Sequence, residues 1–171
     1  MRITALVSAL TLTLLLSPFA ATPQERQNFL GAPFEQLTSG LTRYPVPEGP
    51  LIAQSQVAAE THYRVERGTS CFLAGRCRLQ NAYLYDKEII SRVGKLVAAL
   101  VVRDPLMANT SVWAAGQRRW VYLQGCVQTA DQSQALEAAV RNMDDVESVI
   151  NLLMVGTGGT PRYKVAEPGQ K

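Results

Sequence analysis

The spacing of apolar residues between positions 86 and 157 constrains the fold most, because it follows the helical period in two separate stretches. Asp86 is an N-cap candidate for a first helix that should run to about Val102. Pro105 ends this helix, since a proline disfavours the helical conformation of the residue before it. A second helix is predicted after Thr129, which begins a capping-box pattern. The apolar face of this second helix consists of Leu136, Ala139, Val140 and Met143.

Two extended runs lie between these helices, at residues 110–115 and 120–127, and residues 116–119 are predicted to form a hairpin turn. Alternation along the second run separates two faces, with Val121, Leu123, Gly125 and Val127 on one and Trp120, Tyr122, Gln124 and Cys126 on the other. Gly125 has no side chain, so another backbone is expected to approach closely there. A third strand is predicted over residues 146–155.

The resulting element order is helix, strand, strand, helix, strand. This order predicts an α+β fold, a two-layer sandwich in which a small three-stranded sheet carries two helices on one face. No internal repeat is visible, so one such unit is expected.

The first residues have the layout of a secretory signal peptide. Arg2 precedes an apolar run of residues 3–16, and Ala20 and Ala21 offer a cleavage point. We assign residues 1–21 to this signal, with an uncleaved anchor as the alternative. The mature chain is therefore expected outside the cytoplasm, where disulfide bonds persist.

The three cysteines are interpreted in that oxidising setting. Cys71 and Cys77 flank a short loop that contains a glycine, and they are predicted to pair. Cys126 is left over within a predicted strand, where a buried small apolar residue is favoured over a reactive or cross-linking thiol. This cysteine spacing, with one distant histidine, matches no zinc-ligand pattern, and neither a metal nor a cofactor is predicted.

The remaining segments are expected to be less regular. Residues 22–85 form an N-terminal extension, whose proline-rich part, residues 22–60, indicates a loosely structured tether. Its apolar residues alternatively form one short amphipathic turn or pack onto the domain. Residues 63–85 indicate a lead-in stapled by the disulfide, and residues 158–171 a flexible tail.

Residues 86–157 resemble the BON domain, named for bacterial osmotically inducible and nodulation proteins. The resemblance rests on a first helix at residues 86–100, the following Asp104-Pro105, the run Val121-x-Leu123-x-Gly125-x-Val127, the helix with Ala135 and Ala139, and Val146-x-x-Val149-x-Asn151-x-Leu153-x-Val155. Two turns depart from the family, which usually has a glycine where this chain has Arg119 and Asp145. The resemblance implies a noncatalytic envelope module, generally periplasmic, that is associated with phospholipid binding and outer-membrane integrity.

Basic and aromatic residues near the hairpin suggest a surface for anionic phospholipid head groups. Arg118 and Arg119 at the turn stand beside Trp120, and Arg92 and Lys95 on the first helix add positive charge. The alternative is an ordinary solvated turn, with Trp120 covering the sheet. Such a module would bind at the periphery of a membrane rather than span it.

A protein-interaction role in an envelope or secretion assembly is the second hypothesis. Trp120, Tyr122 and Cys126 lie on the face away from the helices, and exposed aromatic patches commonly mark interfaces. The open sheet face would then dock an envelope protein, unless the N-terminal extension folds back over it.

Other function classes fit poorly. A net charge of +3 is too small for a chain built to bind nucleic acid. The single histidine, His62, lies outside the predicted domain, and the serines have no Gly-x-Ser-x-Gly setting. Asp144 and Asp145 are adjacent and favour a turn over a catalytic pair. The sequence therefore predicts no enzyme.

Overall fold

A computed structural model describes residues 24–167, and the side chains of residues 63–69 are outside this description. The predicted signal peptide therefore lies outside the described residues. The fold is α+β, as predicted. Its helices are α1 (Val57–Leu73), α2 (Ala82–Arg103) and α3 (Ala130–Arg141), and its strands are β1 (Arg26–Gln27), β2 (Phe34–Gln36), β3 (Ile52–Ala53), β4 (Ser111–Gln117), β5 (Trp120–Val127), β6 (Ser148–Asn151) and β7 (Met154–Val155). None of the helices within residues 24–167 has the length and apolarity needed to cross a bilayer.

The prediction of a three-stranded sheet is wrong. The main sheet has five strands in the order β2-β4-β5-β6, with β7 also pairing with β5. Strand β2 comes from the extension and pairs antiparallel with β4. The predicted third strand is divided into β6 and β7, because the Asn151 side chain accepts the Leu153 N–H at 3.0 Å and interrupts the ladder. Strands β1 and β3 form a separate two-stranded sheet.

Helices α2 and α3 pack on one face of the main sheet, as predicted. The face assignment of β5 is also confirmed, since Val121, Leu123 and Val127 are completely buried against the helices. The core that joins the two layers contains Ile89, Ile90, Val93, Val97, Val112, Val121, Leu123, Val127, Leu136 and Val140. Burial of these branched side chains is the main stabilising contribution to the fold.

The first core helix begins earlier than predicted. Helix α2 starts at Ala82, and Asn81 rather than Asp86 is its N-cap, with the side chain accepting the Leu84 N–H. Asp86 lies inside the helix and is 1% exposed. The end at Arg103 and the capping box of α3 at Thr129 agree with the predictions.

The extension is more regular than the predicted tether. Helix α1 was not predicted, and it forms although Gly68, Thr69 and Ser70 near its end are poor helix formers. Strand β2 extends the main sheet. Its neighbour across the ladder is β4, where the Phe34 and Trp113 rings stack with centroids 4.7 Å apart.

The second face of the sheet is not open. Residues 45–48 of the extension pair with residues 164–166: the Glu48 N–H donates to the Lys164 carbonyl and the Ala166 N–H to the Val46 carbonyl. Tyr163, in the segment predicted as a flexible tail, is 7% exposed, and its hydroxyl donates to the Pro45 carbonyl. Cys126 is fully buried beneath this cover. The predicted docking face is thus partly covered by the chain's own segments, with Trp120 and Tyr122 half-buried.

A buried chain of hydroxyl groups attaches the extension to the sheet. The Thr110 hydroxyl donates to the Met107 carbonyl, so the Thr38 hydroxyl must donate to Thr110, at 2.7 Å. Thr38 in turn accepts the Val112 N–H at 2.9 Å. The Thr38 and Thr110 hydroxyl groups and the Val112 N–H therefore all have hydrogen-bond partners.

We expect Thr38→Val to lower the free energy of unfolding by about 2 kcal/mol, because it leaves the buried Val112 N–H without an acceptor. Urea unfolding measures this loss. Thr61→Val is the matched control, since the Thr61 hydroxyl only donates within α1 to the Val57 carbonyl, and it should cost less than about 1 kcal/mol. Equal effects of the two substitutions would contradict a tightly attached extension.

Candidate functional site

The hairpin between β4 and β5 has a two-residue turn rather than the predicted four-residue one. Gln117 pairs with Trp120, and the turn residues Arg118 and Arg119 have φ of 59° and 65°. Such turns favour Asn-Gly or other residues that tolerate the left-handed region. Two consecutive arginines in this conformation must be held there by contacts elsewhere in the fold.

Asp86 supplies these contacts. Its buried carboxylate accepts the Arg118 N–H at 2.9 Å and the Arg119 N–H at 2.7 Å. A carboxylate that accepts two backbone donors makes stronger hydrogen bonds than a neutral acceptor. The side chain predicted to cap α2 therefore fixes the hairpin turn to that helix.

A second turn, before β6, faces the first one. Asp145 has φ of 69° and stands where the resembled family usually has glycine, as Arg119 does. The two residues are in contact, since the Arg119 Nε donates to the Asp145 carbonyl at 2.9 Å. Both departures from the family pattern thus adopt the backbone conformation that glycine favours.

Two further arginines converge on this turn. Arg92 donates to the Asp144 carbonyl at 2.7 Å and contacts an Asp145 carboxylate oxygen at 3.1 Å. Arg78 contacts the same oxygen at 3.0 Å and Glu88 at 2.7 Å. Hydrogen bonds raise the pKa of the Arg78 guanidinium, and the bond to Glu88 has a larger effect than the bond to Asp145. These pairs are partly exposed, so each contributes little to stability.

The predicted lipid-binding residues are placed in different settings. Arg92 and Arg119 point into the protein, and the Arg119 guanidinium lies 4.8 Å from the centre of the Tyr85 ring. The Arg118 guanidinium lies over the half-buried Trp120 ring at 6.0 Å. Lys95 is exposed on α2. The five residues therefore do not form one continuous surface.

The predicted disulfide between Cys71 and Cys77 is present, with the two Cα atoms 5.2 Å apart. It closes a loop at the end of α1. The loop and the hairpin border a pocket of about 300 Å³, whose lining includes four charged residues, Arg76, Arg118, Arg119 and Glu147. Sequence reasoning missed Arg76 as a site residue, although it lies within the loop that the cysteine spacing predicted.

The loop also exposes an apolar side chain. Leu73 is 78% exposed at the end of α1, two residues after Cys71 and three before Arg76. Neighbouring apolar and basic residues on a constrained loop are typical of a surface that meets a membrane interface.

The remaining cysteine lies in a different place, beneath the cover of the second sheet face. Burial raises the pKa of the Cys126 thiol, against the smaller opposite effect of a hydrogen bond with Tyr163. Burial likewise raises the pKa of the Tyr163 hydroxyl. Cys126 is a buried strand residue, which is the interpretation that the sequence favoured.

The family of the sheet and its two helices follows from comparison with known proteins. The family model of the BON domain matches residues 86–157. Residues 86–157 form a BON domain. The match covers less than half of the chain, and no curated protein and no solved structure shows a significant match.

BON domains are associated with phospholipid binding and with envelope or osmotic-stress proteins, and the family is generally noncatalytic. In this chain the BON domain contributes Arg118, Arg119 and Glu147 to the pocket, whereas the disulfide loop and Arg76 precede the matched segment. The pocket is therefore shared between the domain and the extension. Among the described residues, no three His, Cys, Asp or Glu side chains are grouped to bind a metal ion.

Proposed function

We propose that this chain is a noncatalytic periplasmic envelope module that binds anionic phospholipid head groups from the periphery of a membrane. The observation that supports the proposal is the pocket between the disulfide loop and the hairpin, which Arg76, Arg118 and Arg119 all line. These residues come from two segments that are separate in sequence. The fold therefore gathers positive charge that the sequence does not show as a cluster.

The chemistry of the pocket suits a phosphate group. A guanidinium presents a planar fork of donors that matches phosphate oxygens, and three of them with the Glu147 carboxylate leave two net positive charges. Each basic residue near an anionic surface contributes about 1 kcal/mol. Binding should therefore be weak, reversible and sensitive to salt.

The arginines have different roles in this proposal. Arg119 is a positioning residue, because its guanidinium is held by the Asp145 carbonyl and the Tyr85 ring. Arg76 is exposed on the loop, and Arg118 lies at the tip of the hairpin. We assign direct phosphate contact to Arg76 and Arg118.

Leu73 gives the same surface an apolar contact. An exposed leucine gains free energy when it enters the interfacial region of a bilayer. Because the disulfide closes the loop, less conformational entropy is lost when the loop becomes ordered on a membrane. The exposed apolar residue and the two phosphate-binding arginines together define a peripheral contact.

Cosedimentation of the mature chain with anionic and with neutral vesicles, at low and at moderate salt, tests the proposal. Binding should occur only with anionic vesicles and should fall as salt rises. Arg76→Gln/Arg118→Gln should weaken binding about 10- to 30-fold, from roughly 2 kcal/mol of lost attraction.

Arg103→Gln/Arg141→Gln is the matched control, because both residues are exposed and neither borders the pocket. Arg103 ends α2, roughly 30 Å from Ala82 at the helix start beside the pocket, given a rise of about 1.5 Å per residue. The control should retain near-normal binding. Equal losses in the two double variants would overturn the assigned site, and absence of binding to either vesicle would overturn the lipid function.

A second pair of variants tests the apolar contact separately. Leu73→Ser should weaken binding, whereas Val102→Ser should not, although Val102 is 83% exposed near the opposite end of α2. An equal loss of vesicle binding in both serine variants would show that Leu73 is not part of the surface that contacts the membrane.

A further inference from the structure

The disulfide that closes the loop has a cation beside one of its two sulfur atoms. The Arg119 Nη1 lies 3.8 Å from the Cys77 Sγ. The guanidinium is fixed in this place by the Asp145 carbonyl and the Tyr85 ring. Both cysteines border the pocket, so the disulfide is reached from the same side as the arginines.

The two sulfur atoms have opposite electrostatic surroundings. Cys71 lies in the last turn of α1, where the carbonyl ends of the helix disfavour a negative charge. Cys77 lies beside the Arg119 guanidinium, which favours a negative charge on the Cys77 sulfur. The other charged groups that border the pocket are Arg76, Arg118 and Glu147, and positive charge predominates among them.

We propose that the Cys71–Cys77 disulfide is a site of thiol–disulfide exchange with an external dithiol, with Cys77 as the leaving group. A thiolate of the dithiol attacks the Cys71 Sγ and forms a mixed disulfide. The bond between Cys71 and Cys77 breaks, and its electron pair leaves on Cys77 as a thiolate beside Arg119.

A second exchange step completes the reduction of the protein disulfide. The second thiolate of the dithiol attacks the dithiol sulfur that is bonded to the Cys71 Sγ, and Cys71 leaves as a thiolate. The dithiol is oxidised to a disulfide, and the protein gains two electrons and two protons as two thiols. The reverse sequence oxidises the protein again.

The size of the loop agrees with a reversible bond. The cysteines are six residues apart, so the disulfide constrains the unfolded chain only modestly. It also lies before the matched BON domain. Most of the buried core residues lie within the matched segment, and Cys77 packs against the edge of that core.

Brief treatment with reduced glutathione tests which sulfur is attacked, because a monothiol leaves the mixed disulfide in place. After acid quenching and alkylation of the free thiols, trypsin cuts behind Arg76 and separates the two cysteines. The peptide of residues 68–76 should carry glutathione on Cys71 in at least about five-sixths of the adducts, since the better leaving thiol is displaced faster. An even distribution, or adducts mainly on Cys77, would overturn the proposal.

Reduction rates with dithiothreitol give a second readout. Arg119→Gln should slow the reduction about fivefold or more, because it removes the charge that stabilises the leaving thiolate. Arg92→Gln is the control, since the Arg92 guanidinium also contacts this turn but makes its hydrogen bonds to Asp144 and Asp145. Equal rates in the wild-type protein and Arg119→Gln would contradict the role of Arg119.

The glutathione experiment uses the unmodified protein, so it decides the question even if Arg119→Gln does not fold. Neither experiment contains lipid. Failure of the exchange chemistry is therefore distinguishable from failure of the proposed phospholipid binding.

Discussion

Replacing Asp86 by alanine is expected to lower the free energy of unfolding by about 3–5 kcal/mol, the largest loss for any polar side chain at the site. The carboxylate is 1% exposed and accepts both N–H groups of the hairpin turn. A hydrogen bond to a charged group contributes about 1.5–3 kcal/mol, and two are lost together. Urea unfolding, monitored by tryptophan fluorescence and circular dichroism, measures the change.

Asp104→Ala is the matched control for this prediction. Asp104 also accepts a backbone N–H, from Leu106 at 3.0 Å, but it is exposed and makes a single such bond. Its replacement should cost about 1 kcal/mol, as is usual for the loss of a cap. If Asp86→Ala costs no more than Asp104→Ala, Asp86 does not hold the turn.

Changing the turn sequence separates the carboxylate from the backbone strain. Arg118→Asn/Arg119→Gly installs the residues that this turn type prefers. In that background the added cost of Asp86→Ala should be smaller, because the turn no longer depends on the carboxylate to hold a strained conformation. Strict additivity of the two changes would show that strain and hydrogen bonding are independent here.

The contact between Asp86 and the hairpin turn could not be predicted from the sequence. An aspartate before an apolar helical pattern is a reasonable N-cap, but Asn81 caps the helix one turn earlier. Asp86 instead accepts the N–H groups of Arg118 and Arg119, about thirty residues away in the sequence. Arg-Arg has no preference for the left-handed region, so local propensity does not indicate this turn. The two departures from the family pattern, Arg119 and Asp145, were assigned to turns, and both residues have positive φ in the structure.

The extension was mispredicted for a different reason. Its prolines do exclude helix interiors and central strands, as the prediction assumed. A proline still accepts hydrogen bonds, and Pro47 pairs with Val165 in an isolated bridge while its neighbours supply the donors and acceptors. Pairing between segments more than one hundred residues apart leaves no periodic trace in either. The sequence therefore left an open face and a face covered by the extension as alternatives, and in the structure the extension covers part of the face.

The candidate pocket combines a predictable and an unpredictable part. The spacing of Cys71 and Cys77 was enough to predict the disulfide, because closing a short loop is geometrically easy. The approach of this loop to the hairpin depends on the docking of α1 and α2, which no local pattern specifies. The prediction placed Arg92 on the first helix and Arg119 at the hairpin turn, and their contacts with Asp144 and Asp145 turn both side chains toward the protein.

Gly125→Ala is expected to lower the free energy of unfolding by more than about 4 kcal/mol or to prevent folding, since it combines a steric clash with backbone strain. A Cβ at this position would lie 2.0 Å from the Ser111 carbonyl oxygen, and Gly125 has φ of 106°. The close approach that the glycine predicted is therefore between β5 and its neighbour β4. The clash is with backbone, so a change of side-chain rotamer does not relieve it.

Gly94→Ala is the matched control, because it makes the same chemical change in the same domain. Gly94 lies within α2, and its added Cβ would meet only a Glu35 carboxylate oxygen, at 3.6 Å. Alanine there should stabilise the protein by about 0.5–1 kcal/mol, through the higher helix propensity of alanine. Urea unfolding of both variants should give changes of opposite sign. A mild loss in Gly125→Ala would mean that β4 and β5 separate easily at this point, and the register that places Arg118 and Arg119 beside the disulfide loop would then not be fixed by this strand pair.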